Sequence, residues 1–365
     1  MKKLNVGIIG ATGMVGQRFA LLLARHPWFE VAALAASPRS AGKSYSEVIK
    51  DRWMMKEDFN TLPENIRNML IQDASDVQAI TEKVDLVFCA VDMQKDEIKA
   101  LEEAYAKAEC PVISNNSAHR NTPDVPMIIP EVNPEHCEVI HAQRKRLGTQ
   151  KGFIAVKSNC SIQSYVPALH PLMKFGISDV LVCTYQAISG AGKNFDTWPE
   201  MADNVIPFIG GEEEKSEKEP LKVWGRVTND RIVHAVRPHI TSQCIRVPVS
   251  DGHLAAIFVR FEGKDFPAPS KKQIIEEWQH FKSLPQEFRL PSAPPLPLTY
   301  FEEENYPQTK LHRDLDNGMG IALGRLREDS QYDFRFIGLS HNTLRGAAGG
   351  AVLMAELLRV KGFFD

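Results

Sequence analysis

The chain has 365 residues and a hydrophobic content of 43%, enough for two domains that each bury a core. Its formal net charge of −3 supplies no chain-wide basic field, which argues against nucleic acid or an anionic membrane as the main partner and favours a small-molecule substrate. The six cysteines lack the paired spacings of zinc sites and the density of a disulfide scaffold, which predicts reduced thiols, no metal site and a cytoplasmic protein.

The first elements predict a parallel sheet wrapped by helices. The opening apolar run is short and broken by glycines, which predicts a strand and a turn and argues against a signal peptide or a membrane span. Apolar runs then alternate with helical spacing. Strands are predicted at residues 4–9, 31–36, 84–91 and 111–114, and helices at 14–25 and 94–108. Residues 45–68 have no clear periodicity and are expected to form a surface excursion.

A glycine turn lies between the first strand and the first helix. Residues 10–16 read GATGMVG, a variant of the dinucleotide-binding fingerprint, whose glycines let the backbone turn sharply and approach a pyrophosphate. A plain tight turn is the alternative. The cofactor-binding candidates in this turn are Gly10, Thr12, Gly13, Met14 and Val15.

The end of the second strand favours NADP over NAD. An NAD site usually places an acidic residue about 20 positions beyond the glycines to hold the ribose hydroxyls. The second strand does not end in such a residue, and the following loop instead offers Ser37, Arg39, Ser40 and Lys43 to a 2′-phosphate. A solvated polar loop is the alternative interpretation.

Cys160 is the first candidate nucleophile. Residues 156–163 read VKSNCSIQ, which predicts the end of a buried strand and the start of a helix. This arrangement would place Cys160 at a helix N-terminus, where the partial positive charge lowers the thiol pKa and favours a thiolate. The alternative is a small buried residue, which is the preferred interpretation for the cysteines inside apolar strands.

Two polar segments further along the chain supply other candidates. Residues 212–219 read EEEKSEKE, which on spacing alone predicts an exposed, charged helix start. Residues 244–253 read CIRVPVSDGH, where strand alternation points Arg246 away from its apolar neighbours, into either water or a cleft. His253 follows in a polar turn and is available as the base that a thiol nucleophile needs.

The second half of the chain predicts a different kind of domain. Long strand-like runs occur at 153–156, 180–188, 245–249, 254–261, 318–326 and 332–340, with few helices between the later ones. Five prolines between residues 285 and 297 predict a stiff, non-helical connection. Residues 344–360 have helical spacing and are expected to return to the first domain.

These patterns predict an α/β chain with an N-terminal Rossmann-type, doubly wound parallel sheet and a C-terminal α+β domain with a mixed or antiparallel sheet. The predicted cofactor domain comprises residues 1–157 and is completed by the C-terminal helix at 344–365. The predicted catalytic and oligomerisation domain comprises residues 158–343.

Several ordered blocks of the chain resemble those of aspartate-semialdehyde dehydrogenases, in particular the branch found in archaea, fungi and some bacteria. The blocks span nearly the whole chain. They are GATGMVG at 10–16, NNSAHR at 115–120, SNCS at 158–161, TYQAISG at 184–190, EEEK at 212–215, RVPVSDGH at 246–253 and NTLRGAA at 342–348.

The resemblance implies a role for each candidate. It implies that Cys160 is the nucleophile, that His253 is the acid/base and that Gln186 orients the reacting group. The implied substrate ligands are Arg246 for the carboxylate, Glu212 for the amine, and Arg120, Lys215 and Asn159 for phosphate. The register of the glutamate run stays open by one position. The implied NADP contacts are Thr12, Gly13, Ser37, Arg39 and Asn342.

The implied reaction runs through a thioester on Cys160. The thiolate adds to an aldehyde, hydride passes to NADP, and phosphate releases an acyl phosphate. The physiological direction would be the reduction of aspartyl phosphate, on the route to lysine, threonine and methionine, by a homodimer or homotetramer. A related reductase of N-acetylglutamyl phosphate or malonyl-CoA, and an NADP-binding sensor without turnover, are the alternatives.

Overall fold

The first sheet is built from the N-terminal part of the chain. The computed structural model describes residues 2–262 and 267–365. Seven strands pair in the order β3-β2-β1-β4-β5-β7-β6, and all of these pairings are parallel. The strands are β1 (Leu4–Ile9), β2 (Phe29–Ala36), β3 (Ile71–Asp73), β4 (Leu86–Cys89), β5 (Val112–Ser114), β6 (Met127–Ile128) and β7 (Ile154–Lys157). The predicted parallel sheet is confirmed, and its order reverses beside β1, which opens a crevice at the carboxyl ends of β1 and β4.

The second sheet is mixed, as expected. Its order is β11-β8-β12-β15-β14-β13, in which β8–β11 and β13–β14 are parallel pairs and the other pairs are antiparallel. A separate hairpin is formed by β9 and β10. These strands are β8 (Ile177–Gln186), β9 (Arg226–Thr228), β10 (Arg231–Val233), β11 (His239–Arg246), β12 (His253–Phe261), β13 (Leu298–Phe301), β14 (Ile321–Glu328) and β15 (Phe334–Ser340).

The helices of the described ranges are mostly short. The α-helices are α1 (Met14–Leu23), α2 (Tyr45–Ile49), α3 (Glu64–Arg67), α4 (Val77–Thr81), α5 (Lys95–Lys107), α6 (Ile140–Leu147), α7 (Val166–Leu169), α8 (Glu212–Val223), α9 (Lys271–His280), α10 (Leu284–Glu287), α11 (Thr309–His312), α12 (Leu315–Gly318) and α13 (Gly349–Val360). The 3-10 helices are Lys50–Arg52, Phe59–Thr61, Pro134–Val139, Ser161–Ser164, His170–Phe175, Ile188–Ala191 and Pro199–Met201, and a π-helical turn spans Leu344–Ala348. None of the helices in these ranges has the length and apolar character needed to cross a bilayer.

Two local predictions were wrong for reasons of backbone chemistry. The strand predicted at 245–249 ends at Arg246, because Pro248 has no N–H to continue the ladder. The proline-rich connection contains α10, which has Pro285 in its first turn, where the missing N–H would be unpaired in any case.

The segment at 45–68 lies on the surface, as expected, but it is anchored in the core by its apolar side chains. Tyr45, Ile49, Phe59 and Ile66 are buried beside the first sheet. The Tyr45 hydroxyl donates a hydrogen bond of 3.0 Å to the Ala11 carbonyl, so the segment stabilises the glycine turn. Its helices are too short to show a helical period in the sequence, which is why pattern analysis missed them.

Buried side chains connect the two sheets. One apolar cluster contains Val87 and Val156 of the first sheet together with Val182 and Ile257 of the second. A second cluster packs α1 and α13 against the opposite face of the first sheet. Burial of each large side chain in these clusters contributes about 1.5–3 kcal/mol. The shared core holds the carboxyl ends of β1 and β7 close to those of β8 and β11, where the site lies.

Candidate active site

The glycine turn has the shape that a dinucleotide requires. Gly10 has φ +88°, and a Cβ there would lie 2.4 Å from the Ala90 carbonyl oxygen. A Cβ on Gly16 would lie 2.2 Å from the Gly10 oxygen, so glycine at this position lets α1 approach β1. Helix α1 starts after Gly13 without a side-chain cap, which leaves its first N–H groups available to an anion.

Two adjoining cavities extend from this turn. One, of about 510 Å³, is lined by Gly10, Thr12 and Gly13 on one side and by residues 73–75 and 90–93 on the other. The other, of about 430 Å³, is lined mainly by hydroxyls and cations, namely Thr12, Ser37, Ser40, Arg39, Lys43 and Arg52, and Glu47 and Val48 complete its wall. The first suits an adenosine diphosphate and the second a 2′-phosphate, so the residues present fit the group that the fingerprint implies. Met14 lines neither of these cavities, and Val15 lines the cleft that contains Cys160.

Cys160 lies in a tight turn rather than at the N-terminus of a long helix. The predicted helix is divided into the 3-10 helix Ser161–Ser164, helix α7 and the 3-10 helix His170–Phe175, because Tyr165 has non-helical φ and ψ angles. Asn159 supports the turn, since its Oδ1 accepts hydrogen bonds from the N–H and the hydroxyl of Ser161 at 2.7 and 2.6 Å. A Cβ on Gly346 would lie 2.7 Å from the Cys160 Cβ, so the C-terminal π-turn packs directly on the nucleophile.

His253 faces the thiol and has a defined tautomer. Its Nε2 lies 3.4 Å from the Cys160 Sγ, and its Nδ1 lies 3.1 Å from the backbone nitrogen of Ala187. Because a backbone N–H can only donate, Nδ1 must be the acceptor. Burial, together with the nearby Arg246 charge, lowers the His253 pKa to about 3, so the ring is neutral and its proton lies on Nε2. His253 therefore donates an N–H to the sulfur.

The Cys160 pKa is raised, whereas the sequence predicted that it would be lowered. Burial and the Glu212 carboxylate raise the Cys160 pKa to about 11, although Arg120, Lys157 and Arg246 act in the lowering direction. The predicted lowering by a helix N-terminus was wrong because one 3-10 turn carries little dipole and desolvation outweighs it. In the free protein Cys160 is a thiol at neutral pH.

Alkylation of Cys160 by iodoacetamide should therefore accelerate by about tenfold per pH unit between about pH 7 and pH 9, because the thiolate fraction rises tenfold per unit below the pKa. Mass spectrometry of the peptide that contains Cys160 measures this rate separately from those of the other thiols. A plateau below about pH 8 would instead support the lowered pKa expected from the sequence.

Helix α8 places one glutamate of the acidic run inside the site. Glu212 is buried, and its carboxylate accepts from the Lys215 Nζ at 2.7 Å, from the Asn159 Nδ2 at 3.0 Å and from the Gln186 Nε2 at 3.3 Å. Burial raises its pKa, but Lys215 and the two amides outweigh burial, so the net pKa is lowered and Glu212 is ionised. The exposed charged helix predicted here was wrong for this position. The register is resolved because Glu213, the next residue, instead accepts from the Gln243 Nε2 and the Cys244 N–H of β11.

Arg246 lies directly behind Gly190, which lines the cleft. It is 6% exposed, and its Nη1 donates a hydrogen bond of 2.6 Å to the Ala187 carbonyl. No described residue accepts from its Nε or Nη2, so that edge can bind a carboxylate with two hydrogen bonds. A Cβ on Gly190 would lie 2.9 Å from Arg246 Nη1 and 3.1 Å from the His253 imidazole, so glycine leaves space between them.

Family models and relatives agree on one family over nearly the whole chain. Residues 5–140 match the model described as semialdehyde dehydrogenase, NAD binding domain, and residues 169–345 match semialdehyde dehydrogenase, dimerisation domain. The aspartate-semialdehyde dehydrogenase of Methanothermobacter thermautotrophicus is 42% identical over 97% of this chain and 98% of its own length. That of Aspergillus fumigatus is 39% identical over 99% of this chain and 98% of its own. The chain belongs to the aspartate-semialdehyde dehydrogenase family.

A solved structure supports the same assignment. The aspartate-semialdehyde dehydrogenase of Candida albicans, crystallised with NADP, superposes with a TM-score of 0.88 at 38% identity, covering 99% of this chain and 100% of its own. The resemblance to archaeal and fungal members found in the sequence is thereby confirmed.

The family resemblance implies that three residues bind phosphate, and the structure gives them different environments within one cleft. Arg120, Asn159 and Lys215 all line a cleft of about 300 Å³ together with Cys160. Arg120 and Asn159 are engaged in protein hydrogen bonds, whereas the Lys215 side chain is 33% exposed and has only Glu212 as a partner among the described residues. Lys215 is therefore the most accessible of the three to a phosphate.

Asn342 reaches the site from the end of β15. Its Oδ1 accepts from the Gly252 N–H at 2.8 Å, and its Nδ2 donates to the Ser189 hydroxyl at 2.8 Å. It lines the same cleft as Cys160. Asn342 thus holds the backbone before His253, in addition to the NADP contact that the family resemblance implies.

Some cleft residues were not singled out from the sequence. Asn115 lines the cleft, and the polar atoms of its side chain are buried without a hydrogen-bond partner in the described ranges. Ser189 and Gly190 line the same cleft. Asn115 could have been found, because it follows a buried strand of a parallel sheet at the carboxyl end, where ligands bind. Glu219, which contacts the turn before Cys160, is not distinguished by any local sequence pattern from the other glutamates of the acidic run.

Proposed function

We propose that this protein is an NADPH-dependent aspartate-semialdehyde dehydrogenase that converts 4-phospho-L-aspartate to L-aspartate 4-semialdehyde and phosphate. The observation that carries the proposal is the contact between Cys160 and His253 at 3.4 Å, beside a cleft that is lined by Val15 and Glu212 and has Arg246 behind Gly190. Membership of the family supports this activity. A semialdehyde dehydrogenase of this kind would act in the biosynthesis of lysine, threonine and methionine.

The side chains support a covalent mechanism. The Cys160 thiol loses its proton to solvent, and the His253 Nε2–H stabilises the resulting thiolate, which attacks the acyl carbon of the substrate. The carbon–oxygen bond to phosphate then breaks, and a thioester forms on Cys160 as phosphate leaves. NADPH, when bound, supplies the hydride that reduces the thioester to the aldehyde level. The Nε2–H stabilises the resulting oxyanion until the carbon–sulfur bond breaks and the thiolate is restored.

Substrate groups have matching partners around Cys160. The free edge of Arg246 suits the α-carboxylate, and the ionised Glu212 suits the α-amine. Lys215 is available for the phosphoryl group, with Arg120 and Asn159 behind it, and Gln186 orients the Glu212 carboxylate. An N-acetylated substrate or malonyl-CoA presents no free amine to Glu212, which is why these alternatives are not favoured.

The assay that tests this function follows NADP reduction with L-aspartate 4-semialdehyde, with and without phosphate. We expect turnover to require phosphate, because phosphate must cleave the thioester. Faster turnover with N-acetylglutamate semialdehyde, or with malonate semialdehyde and coenzyme A, would assign the chain to one of the alternative reductases. No turnover with any of them, together with tight NADP binding, would support the sensor.

Replacement of Arg246 by lysine is expected to lower kcat/KM for L-aspartate 4-semialdehyde by about 10- to 100-fold, equivalent to about 1.4–3 kcal/mol of transition-state stabilisation. Lysine keeps the charge but cannot form the two-point contact that orients the aldehyde carbon toward Cys160. Steady-state kinetics measure the loss, and NADP affinity should be unchanged. A loss below about threefold would remove Arg246 from the substrate site.

NADP is expected to be preferred over NAD, and Arg39→Ala should reduce that preference by lowering kcat/KM for NADP by about 10-fold or more. The guanidinium contacts a 2′-phosphate that NAD lacks, so the kinetics with NAD are the internal control and should not change. Equal kcat/KM for both cofactors in the unsubstituted protein would contradict the proposed role of this cavity.

We propose that the two domains of the chain divide at residue 157.

We also propose that the protein is a homo-oligomer whose subunits pair through the outer face of the second sheet. Leu181, Tyr185, Leu254, Phe258 and Ile337 share that face and are only partly buried in the single chain. Adjoining apolar side chains that stay partly exposed on one sheet face are typical of a subunit interface. Sedimentation equilibrium tests it, and a mass of 40.9 kDa would contradict it.

A further inference from the structure

Glu219 joins helix α8 to the turn before the nucleophile. It is 6% exposed and lies two helical turns after Glu212 on the same helix. Its Oε2 accepts from the Asn159 N–H at 2.6 Å, and its Oε1 accepts from the Arg120 Nη1 at 2.9 Å. The residue next to Cys160 in the chain is thus bound directly by a buried carboxylate.

Arg120 holds the other side of the same turn. Its Nε donates to the Lys157 carbonyl at 2.9 Å, and its Nη2 donates to the Asn115 carbonyl at 3.2 Å. The Arg120–Glu219 pair therefore contacts the chain at both residues 157 and 159. Arg120 is itself anchored, because the Lys222 Nζ donates to its carbonyl at 2.7 Å. Helix α8 supports the turn through two buried side chains, Glu219 and Lys222.

We propose that Glu219 is a positioning residue for Cys160, which holds the nucleophile turn through the Asn159 N–H and keeps Arg120 locked against the turn. Buried hydrogen bonds to a charged acceptor are strong and directional, so they determine where the backbone lies. The contact keeps the Cys160 Sγ within reach of the His253 Nε2–H. Glu219 touches neither substrate nor cofactor and acts through Asn159 and Arg120.

The substitution Glu219→Gln separates positioning from charge. A glutamine has one acceptor oxygen and an NH₂ group, so one of the two donors, Arg120 or Asn159, would face another donor. The turn should shift and the Sγ should lose the His253 hydrogen bond, which slows thiolate formation. Loss of a negative charge alone would act the opposite way, because it favours the thiolate. The two roles therefore predict opposite changes in Cys160 reactivity.

The experiment measures iodoacetamide alkylation of Cys160 in the full chain at fixed pH. The matched control is Glu214→Gln, which makes the same change on the same helix at an exposed side chain paired with Lys218. We expect alkylation to slow by about 5-fold or more in Glu219→Gln and to stay unchanged in the control. An unchanged or faster rate in Glu219→Gln would overturn the proposal. If the glutamine variant does not fold, Glu219→Asp keeps the charge on a shorter side chain and should show the same slowing.

A kinetic measurement separates the turn from phosphate binding. With L-aspartate 4-semialdehyde and NADP, the first turnover without phosphate reports thioester formation, and we expect Glu219→Gln to slow it as much as the full reaction. If only the Michaelis constant for phosphate rose, Glu219 would serve Arg120 alone and the proposal would be overturned. This part rests on the proposed function, whereas alkylation needs no substrate, so failure of one is distinguishable from failure of the other.

Discussion

Replacement of Cys160 by serine is expected to reduce turnover by about 10³-fold or more, because a hydroxyl is far less ionised than a thiol and forms an oxygen ester, which is less reactive than a thioester. The His253 Nε2–H, which stabilises a thiolate, cannot compensate, since its tautomer prevents it from removing a proton. NADP binding should be unaffected, because the glycine turn and the two cofactor cavities do not include Cys160. Steady-state kinetics and a fluorescence titration with NADPH measure the two properties.

Cys183→Ser is the matched control for this prediction. It makes the same change on β8 away from the cleft, where Cys183 is half-buried between Leu181 and Tyr185 of the proposed subunit interface, so sedimentation of the variant is measured alongside its kinetics. We expect it to retain nearly full activity. Retention of more than a few per cent of activity in Cys160→Ser would remove Cys160 as the nucleophile.

Replacement of His253 by alanine is expected to lower kcat by about 10²- to 10⁴-fold, because it removes the donor to the thiolate and to the oxyanion. His253→Gln should recover part of this loss. A glutamine side chain can place an amide N–H near the position of the imidazole Nε2, and the neutral histidine supplies no more than that donor. Kinetics of the two variants at several pH values, with folding checked by circular dichroism, measure the difference.

The two substitutions distinguish a donor from a base. If His253 removed the thiol proton, the glutamine variant would be as inactive as the alanine variant, because an amide cannot accept that proton. Because the His253 pKa is about 3, protonation of His253 should cause no loss of activity when the pH is lowered from about 8 to about 5. Equal activity of the two variants would contradict the donor role.

The architecture was largely predictable because local signals determine it. Alternation of apolar runs with helical spacing predicted the parallel sheet, strand-like runs with few helices between them predicted the mixed sheet, and the glycine spacing predicted the turn. All three signals are properties of neighbouring residues. The strand at 4–9 was predicted to the residue. The helix after Cys160 failed because Tyr165 is held in a non-helical conformation by burial, and its hydroxyl donates to the Ser216 carbonyl.

The sequence by itself determined the two-domain α/β class, the glycine turn before α1 and the presence of Cys160, Arg246 and His253 as candidates, since each depends on short-range pattern or residue chemistry. Only the tertiary structure decided which glutamates of the acidic run face the site, why Glu219 holds the nucleophile turn, and which His253 nitrogen carries the proton. The direction of the Cys160 pKa shift was also decided only by the tertiary structure. Desolvation and charge–charge interactions act through space over several ångströms, and they sum contributions from residues far apart in the chain. For that reason the segment around Cys160, taken alone, predicted the wrong sign for the shift of the Cys160 pKa.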